Sequence, residues 1–146
     1  MSRADYENIQ SDLEGFIGVS CFFLSLLSVA QDVVDDYKLD KNIDMIKLYR
    51  VATNKGWLNK FDKIMYNDVA LLEYATGVKV KKVIYTPSEF EGHTVKENEY
   101  TISKYVNAKG NMNHFRRRSY DVYKNSQTVA KGKLLSIYCY EFEVKK

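Results

Sequence analysis

Residues 18–31, GVSCFFLSLLSVAQ, belong to an apolar run that carries a cysteine near its beginning and no charge between Phe16 and Ala30. A helix that spans a bilayer needs about 20 apolar residues, which is more than this run offers. A secretory signal starts with a positively charged region, whereas the segment before this run is mainly acidic. The run therefore predicts a helix inside a protein without membrane contact. Without an export signal, we expect a cytoplasmic location.

From Cys21 onward, apolar residues recur in steps of three and four along two rows, at 22, 26, 29, 33 and at 23, 27, 30, 34, 37. This spacing is the period of an α-helix, and two neighbouring rows make most of its circumference apolar. We therefore predict a central, buried helix that begins at Cys21. Shorter helices are predicted over 41–55, capped by Asp40, and over 68–76, capped by Asn67 and ended by Gly77.

After Gly77 the apolar period changes to two, which indicates strands. We predict strands over 78–85, 99–106, 112–118 and 119–123, and a hairpin over 128–142 that turns at Lys131 and Gly132. The second arm of this hairpin is apolar on both faces, as expected for a central strand. Helices followed by an antiparallel sheet predict a single α+β domain over 1–146, with a helical half 1–77 and a sheet half 78–146.

Charge is distributed unevenly between these halves. Residues 1–77 carry 8 Lys and Arg against 12 Asp and Glu, whereas residues 78–146 carry 14 against 7. This contrast favours docking of the two halves or a basic surface for an acidic partner. The two cysteines and two histidines lie too far apart to match a zinc-ligand spacing, and there is no glycine-rich phosphate loop. We therefore predict free thiols, no metal and no cofactor.

Cys21 has the chemistry of a candidate nucleophile. A helix N-terminus favours negative charge, so it lowers the pKa of a cysteine placed there. Such a thiolate needs a general base, usually histidine, and a third group that orients the base. His93 lies among polar residues and is predicted in a solvated loop, whereas His114 begins a predicted strand and Asp121 follows it. Cys139 is predicted to be a core residue.

The segments GVSCFFLSLL, NHFRRR and YDVYKNSQTVAKGKLLSIYCYEF resemble, over most of the chain, a borrelial and phage-type family of unknown function, encoded on plasmids or phages. That family is related to the papain-like cysteine peptidases that cut double-glycine leaders from bacteriocin precursors. The resemblance implies a papain-like fold and a peptidase or amidase that acts on a peptide or protein substrate. It implies that Cys21 is the nucleophile, His114 the base, Asp121 the orienting carboxylate and Gln10 part of the oxyanion hole.

Two alternatives remain open at this point. Only six residues separate His114 from Asp121, where the family has a full hairpin, so the chain could instead be a catalytically inactive papain-like binding module. A turn at Arg117 and Arg118 would place His114 opposite Asp121, although arginines are poor residues for such turns. The arginines at 116–118 and their aromatic neighbours also suggest nucleic-acid binding. Three arginines contact few phosphates, and we predict no specific nucleic-acid binding near physiological salt.

Overall fold

The computed structural model describes residues 20–62, 64–106, 113–117 and 133–144, with the backbone alone at 20, 21, 113, 114 and 116. In chain order the elements are α1 (Ser20–Asp36), α2 (Met45–Asn54), α3 (Asp68–Thr76), β1 (Val80–Tyr85), α4 (Pro87–Glu91), β2 (Glu99–Val106), β3 (Asn113–Arg116) and β4 (Lys133–Phe142). The first three helices precede an antiparallel sheet, so the predicted α+β class is confirmed.

Helix α1 is the buried central helix that its apolar period predicts. Phe23, Leu26, Val29 and Val33 have no exposed surface, whereas Leu24, on the remaining face, is 44% exposed. The helix contacts α3, β2 and β3. Because its buried positions recur in steps of three and four, one broad face of α1 lies against the rest of the core.

The helix caps follow the sequence signals in one case and depart from them in another. Asn67 accepts a hydrogen bond from the backbone N–H of Ala70, and Gly77 ends α3 in the left-handed region at φ 74°, as predicted. Helix α2 begins later than expected, because its N-cap is Asp44 rather than Asp40. The Asp44 carboxylate accepts hydrogen bonds from the two N–H groups at 46 and 47.

In the described part of the chain, the sheet contains four strands in the order β1–β4–β2–β3. Strand β4 pairs with β1 on one side and β2 on the other, both antiparallel, so the predicted central strand is confirmed. Strand β2 has the predicted bounds, and β3 pairs with its outer edge. The predicted strand 119–123 and the turn at Lys131 and Gly132 lie outside the described residues.

The second half of β4 has buried residues on both of its faces. Tyr140 and Phe142 belong to one buried apolar cluster that also contains Leu26 and residues of α3, so the helical and sheet halves share a core. On the opposite face of the strand, Ile137 and Cys139 are also buried. This second face is contacted by α4, a short helix that the sequence analysis did not predict.

A buried ionic contact attaches α3 to the sheet. Asp68, the first residue of α3, accepts a hydrogen bond of 2.6 Å from the Tyr140 hydroxyl. Its carboxylate also lies 2.6 Å from the Lys82 ammonium of β1. Since removal of one partner would leave a buried group unsatisfied, this contact holds the start of α3 over the sheet.

The packing of α1 leads to a test with a matched pair of leucines. We expect Leu26→Ala to lower the free energy of unfolding by about 2–5 kcal/mol, because it leaves a cavity in the core. Leu24→Ala, two positions away on the exposed face, should change it by less than about 0.5 kcal/mol. Urea unfolding followed by circular dichroism measures both. Equal losses would contradict the described orientation of α1.

Candidate functional site

The predicted nucleophile and base occupy the beginnings of two elements. Cys21 is the second residue of α1, the longest helix in the described part of the chain. His114 is the second residue of β3, and its backbone pairs with that of Tyr105 in β2. Gln10 and Asp121 lie outside the described residues. The catalytic roles of all four remain predictions.

An aromatic contact joins the start of α1 to β3. The rings of Phe22 and Phe115 stack with centroids 4.2 Å apart. Tyr138 of β4 packs edge-on against both rings, with its centroid 5.7 Å from Phe22 and 5.8 Å from Phe115. Since Phe22 follows Cys21 and Phe115 follows His114, the backbones of the predicted nucleophile and base adjoin one aromatic cluster.

Arg117 fixes the other end of β3 against α1. Its guanidinium donates hydrogen bonds of 2.7 Å to the Asp32 carboxylate and 3.2 Å to the Ser28 hydroxyl. Its Nε–H donates to the backbone carbonyl of Thr101, at 3.2 Å. Strand β3 therefore runs along α1 in the same direction, with Phe115 near the helix start and Arg117 further along it. Residue 114 lies towards the helix N-terminus.

A second cluster of reactive side chains lies on the opposite face of the sheet. The His93 Nε2 is 2.8 Å from the Glu99 Oε2, and the Cys139 thiol donates to the same oxygen at 2.9 Å. The other carboxylate oxygen of Glu99 accepts a hydrogen bond of 2.9 Å from the Lys96 N–H. Glu99 and Cys139 are buried. The three side chains thus form a compact, hydrogen-bonded group.

His93 does not lie in a solvated loop as predicted. It follows α4 along the chain, and only 22% of its side chain is exposed. Its ring stacks on Tyr85 with centroids 4.8 Å apart, and its Nδ1 lies 3.5 Å from the Tyr85 hydroxyl. The polar residues around His93 in the sequence misled the prediction, because the short helix turns the histidine back onto the sheet.

The surroundings of Cys139 keep its thiol protonated. Burial raises the pKa of the Cys139 thiol, and its hydrogen bond to the Glu99 carboxylate raises it further. Burial also acts to raise the pKa of Glu99, but the hydrogen bonds from Cys139, the Lys96 N–H and His93 outweigh it, so this pKa is lowered. Cys139 is therefore held as a protonated donor to a carboxylate, which makes it a poor nucleophile without a metal.

His93, Glu99 and Cys139 could also hold a metal ion. Their ligand atoms all lie within 4.8 Å of one another, and imidazole, carboxylate and thiolate are the ligand types that zinc uses. Close ligand spacing in the sequence does not reveal this group, because Cys139 lies far from the other two residues along the chain. The only sequence signal is that Glu99 and Cys139 lie in two predicted strands, and their proximity depends on the pairing of those strands.

Comparison with known proteins adds no relative: no protein-family model, curated protein or solved structure matches the chain. None of the helices in the described ranges combines the length and apolar character that a bilayer crossing requires.

The contacts of Phe115 and Arg117 generate a prediction about nucleic acid. Of the candidate side chains for base stacking or phosphate binding, the structure describes Phe115 and Arg117, and both already contact α1. We expect no salt-dependent binding of a single-stranded oligonucleotide near physiological ionic strength, measured by fluorescence anisotropy. Binding that weakens steeply with salt and is lost on replacing Arg116, Arg117 and Arg118 with alanine would contradict this prediction.

Proposed function

We propose that the protein is a papain-like cysteine hydrolase, a peptidase or amidase, with Cys21 as nucleophile and His114 as general base. The observation that carries this proposal is the contact between the start of α1 and β3. Cys21 lies in the first turn of α1, and the strand that contains His114 packs against that turn through Phe22 and Phe115. Papain-like chemistry pairs a cysteine at a helix start with a histidine on a neighbouring strand. Phe115 and Arg117 are the β3 side chains that contact α1, and side chains alternate along a strand, so the proposal requires the start of β3 to turn His114 towards Cys21.

The physical basis of nucleophilicity is the N-terminal end of α1. The unpaired N–H groups and the helix dipole stabilise negative charge, which lowers the pKa of a cysteine in the first turn. A neighbouring imidazolium favours the thiolate in the same way. Cys139 offers the contrasting environment, because its thiol faces a carboxylate in a buried position.

The proposed reaction proceeds through an acyl-thioester. The Cys21 thiolate attacks the carbonyl carbon of the substrate, so a C–S bond forms. The protonated His114 gives its proton to the leaving amine as the C–N bond breaks. His114 then removes a proton from water, which attacks the thioester and releases the acid and the thiolate. Asp121 would orient the imidazole, and Gln10 would donate to the oxyanion.

Such chemistry requires a nucleophile and a base that are held at a fixed separation. The contacts that join α1 to β3 fix the backbones of these two elements relative to each other. The aromatic cluster of Phe22, Phe115 and Tyr138 packs at the helix start, and the ion pair of Arg117 with Asp32 ties the strand further along the same helix. A helix and a strand are also more rigid supports for a site than loops are.

Thiol reactivity tests this proposal without knowledge of the substrate. A limiting amount of iodoacetamide at neutral pH, followed by mass spectrometry of the two cysteine peptides, should modify Cys21 much faster than Cys139. His114→Ala should slow the alkylation of Cys21 about tenfold or more, because loss of the imidazolium raises the thiol pKa and each pKa unit changes the thiolate fraction tenfold.

The other histidine supplies a matched control. His93→Ala should leave the alkylation rate of Cys21 unchanged, since His93 contacts Glu99 on the opposite face of the sheet. Equal alkylation of Cys21 and Cys139 would contradict the proposed enzyme. A Cys21 rate that does not respond to His114→Ala would also contradict it, and would favour the inactive papain-like binding module.

A further inference from the structure

His93, Glu99 and Cys139 come from three separate parts of the chain. His93 follows α4, Glu99 is the first residue of β2, and Cys139 lies in the central strand β4. The carboxylate oxygen Oε2 of Glu99 lies between the two other groups, 2.8 Å from the His93 Nε2 and 2.9 Å from the Cys139 Sγ. A nitrogen, an oxygen and a sulfur therefore converge on one point at the surface of the sheet.

The two contacts to the Glu99 Oε2 are shorter than the ligand separations of a tetrahedral zinc site, and all three ligand atoms lie within 4.8 Å of one another. Zinc binds nitrogen and oxygen at about 2.0–2.2 Å and sulfur at about 2.3 Å, so its ligand atoms lie about 3.3–3.7 Å from one another. Each contact to the Glu99 oxygen would need to widen by about 0.5–0.8 Å to admit the metal. Small side-chain rotations supply such a change. The hydrogen between Sγ and Oε2 leaves as the metal enters.

Surrounding contacts already orient the three ligands. The Lys96 N–H binds the Oε1 of Glu99, so the Oε2 is directed at His93 and Cys139. The His93 ring stacks on Tyr85, whose hydroxyl lies 3.5 Å from Nδ1 and leaves Nε2 on the side of the carboxylate. Supporting contacts of this kind to a ligating histidine and carboxylate are typical of metal sites.

The charges around the cluster also favour a cation. Glu99 lies directly opposite Glu141 in the antiparallel register of β2 and β4, an arrangement in which two like charges repel. Glu141 reaches the ammonium of Lys96 only at 3.9 Å, and the Lys96 side chain is 64% exposed. Among the described residues, the His93 ring is the basic group that contacts Glu99. A divalent ion beside Glu99 would offset the repulsion between the carboxylates.

We propose that His93, Glu99 and Cys139 bind a zinc-type divalent metal ion, with Nε2, Oε2 and Sγ as ligands and water in the fourth position beside the partly exposed His93. The Cys139 thiol loses its proton to solvent as the metal–sulfur bond forms. The bound ion then links the β1–β2 connection, through His93, to Cys139 of β4. The site lies on the opposite face of the sheet from α1 and does not depend on the chemistry of Cys21.

Titration of the metal-free, full-length protein with Co²⁺ under anaerobic conditions tests the site. We expect a thiolate-to-cobalt charge-transfer band in the near ultraviolet, which saturates at a single Co²⁺ per chain and is abolished by Zn²⁺. Cys139→Ser should remove the band, whereas the matched control Cys21→Ser should keep it. His93→Gln and Glu99→Gln should each weaken Co²⁺ binding at least about tenfold.

Thermal unfolding provides a readout that keeps the test independent of thiol spectroscopy. Cys139→Ser preserves a donor to Glu99, so this variant is expected to fold without metal. Zn²⁺ well above its Kd should raise the Tm of the wild-type protein by about 5 °C or more and leave the Tm of Cys139→Ser unchanged. No cobalt band in the wild type, a band that persists in Cys139→Ser, or equal Tm shifts in both proteins would overturn the metal site.

Discussion

The second half of strand β4 carries buried residues on both faces and is paired along both edges, and the positions of the two candidate sites follow from this constraint. Tyr140 and Phe142 fill the face beneath α1 and α3, and Ile137 and Cys139 fill the other. Burial of the apolar side chains Ile137 and Phe142 contributes about 1.5–3 kcal/mol each. Buried residues on both faces need cover on both sides of the sheet. The chain places α1 over one face and α4 over part of the other, where Leu135 is still 38% exposed.

Polar contacts between α1 and the sheet half determine how α1 is oriented over the sheet. The Tyr100 hydroxyl donates to Asp36 at the end of α1, and Arg117 binds Asp32 one turn earlier. These contacts hold the last turns of α1, while the stacked rings of Phe22 and Phe115 hold the first. The acidic end of an otherwise apolar helix is thus bound to basic and hydroxyl groups of the sheet half. This matches the opposite net charges of the two halves of the sequence.

The spacing of apolar residues predicted the elements in which that spacing is regular. The steps of three and four in α1 and the two apolar faces of β4 each have a single structural interpretation, and both were confirmed. The start of α2 was wrong because Asp40 and Asp44 are equivalent as sequence signals, and only the path of the chain selects Asp44. Helix α4 was missed although Thr86 and Glu89 form a capping box, since five residues are too few to show a period.

The two candidate sites also differ in how far the sequence predicts them. The position of Cys21 could be predicted because it depends on the start of one helix. The cluster on the other face requires Glu99 to meet Cys139, which lies 40 positions away along the chain. That meeting depends on the strand order β1–β4–β2, and strand order is not encoded in the period of any single strand. His93 joins them only because α4 reverses the chain above the sheet.

The central claim concerns the two cysteines, which lie on opposite sides of the sheet: we propose a reactive thiolate at Cys21 and a protonated thiol at Cys139. Nuclear magnetic resonance of the metal-free protein, with the cysteine Cβ atoms labelled by carbon-13, follows the ionisation of each thiol against pH. The account predicts that Cys21 titrates well below the ordinary cysteine pKa of about 8.5, that His114→Ala moves this midpoint upward, and that Cys139 stays protonated. A Cys21 midpoint at or above about 8.5 in the wild-type protein would contradict it.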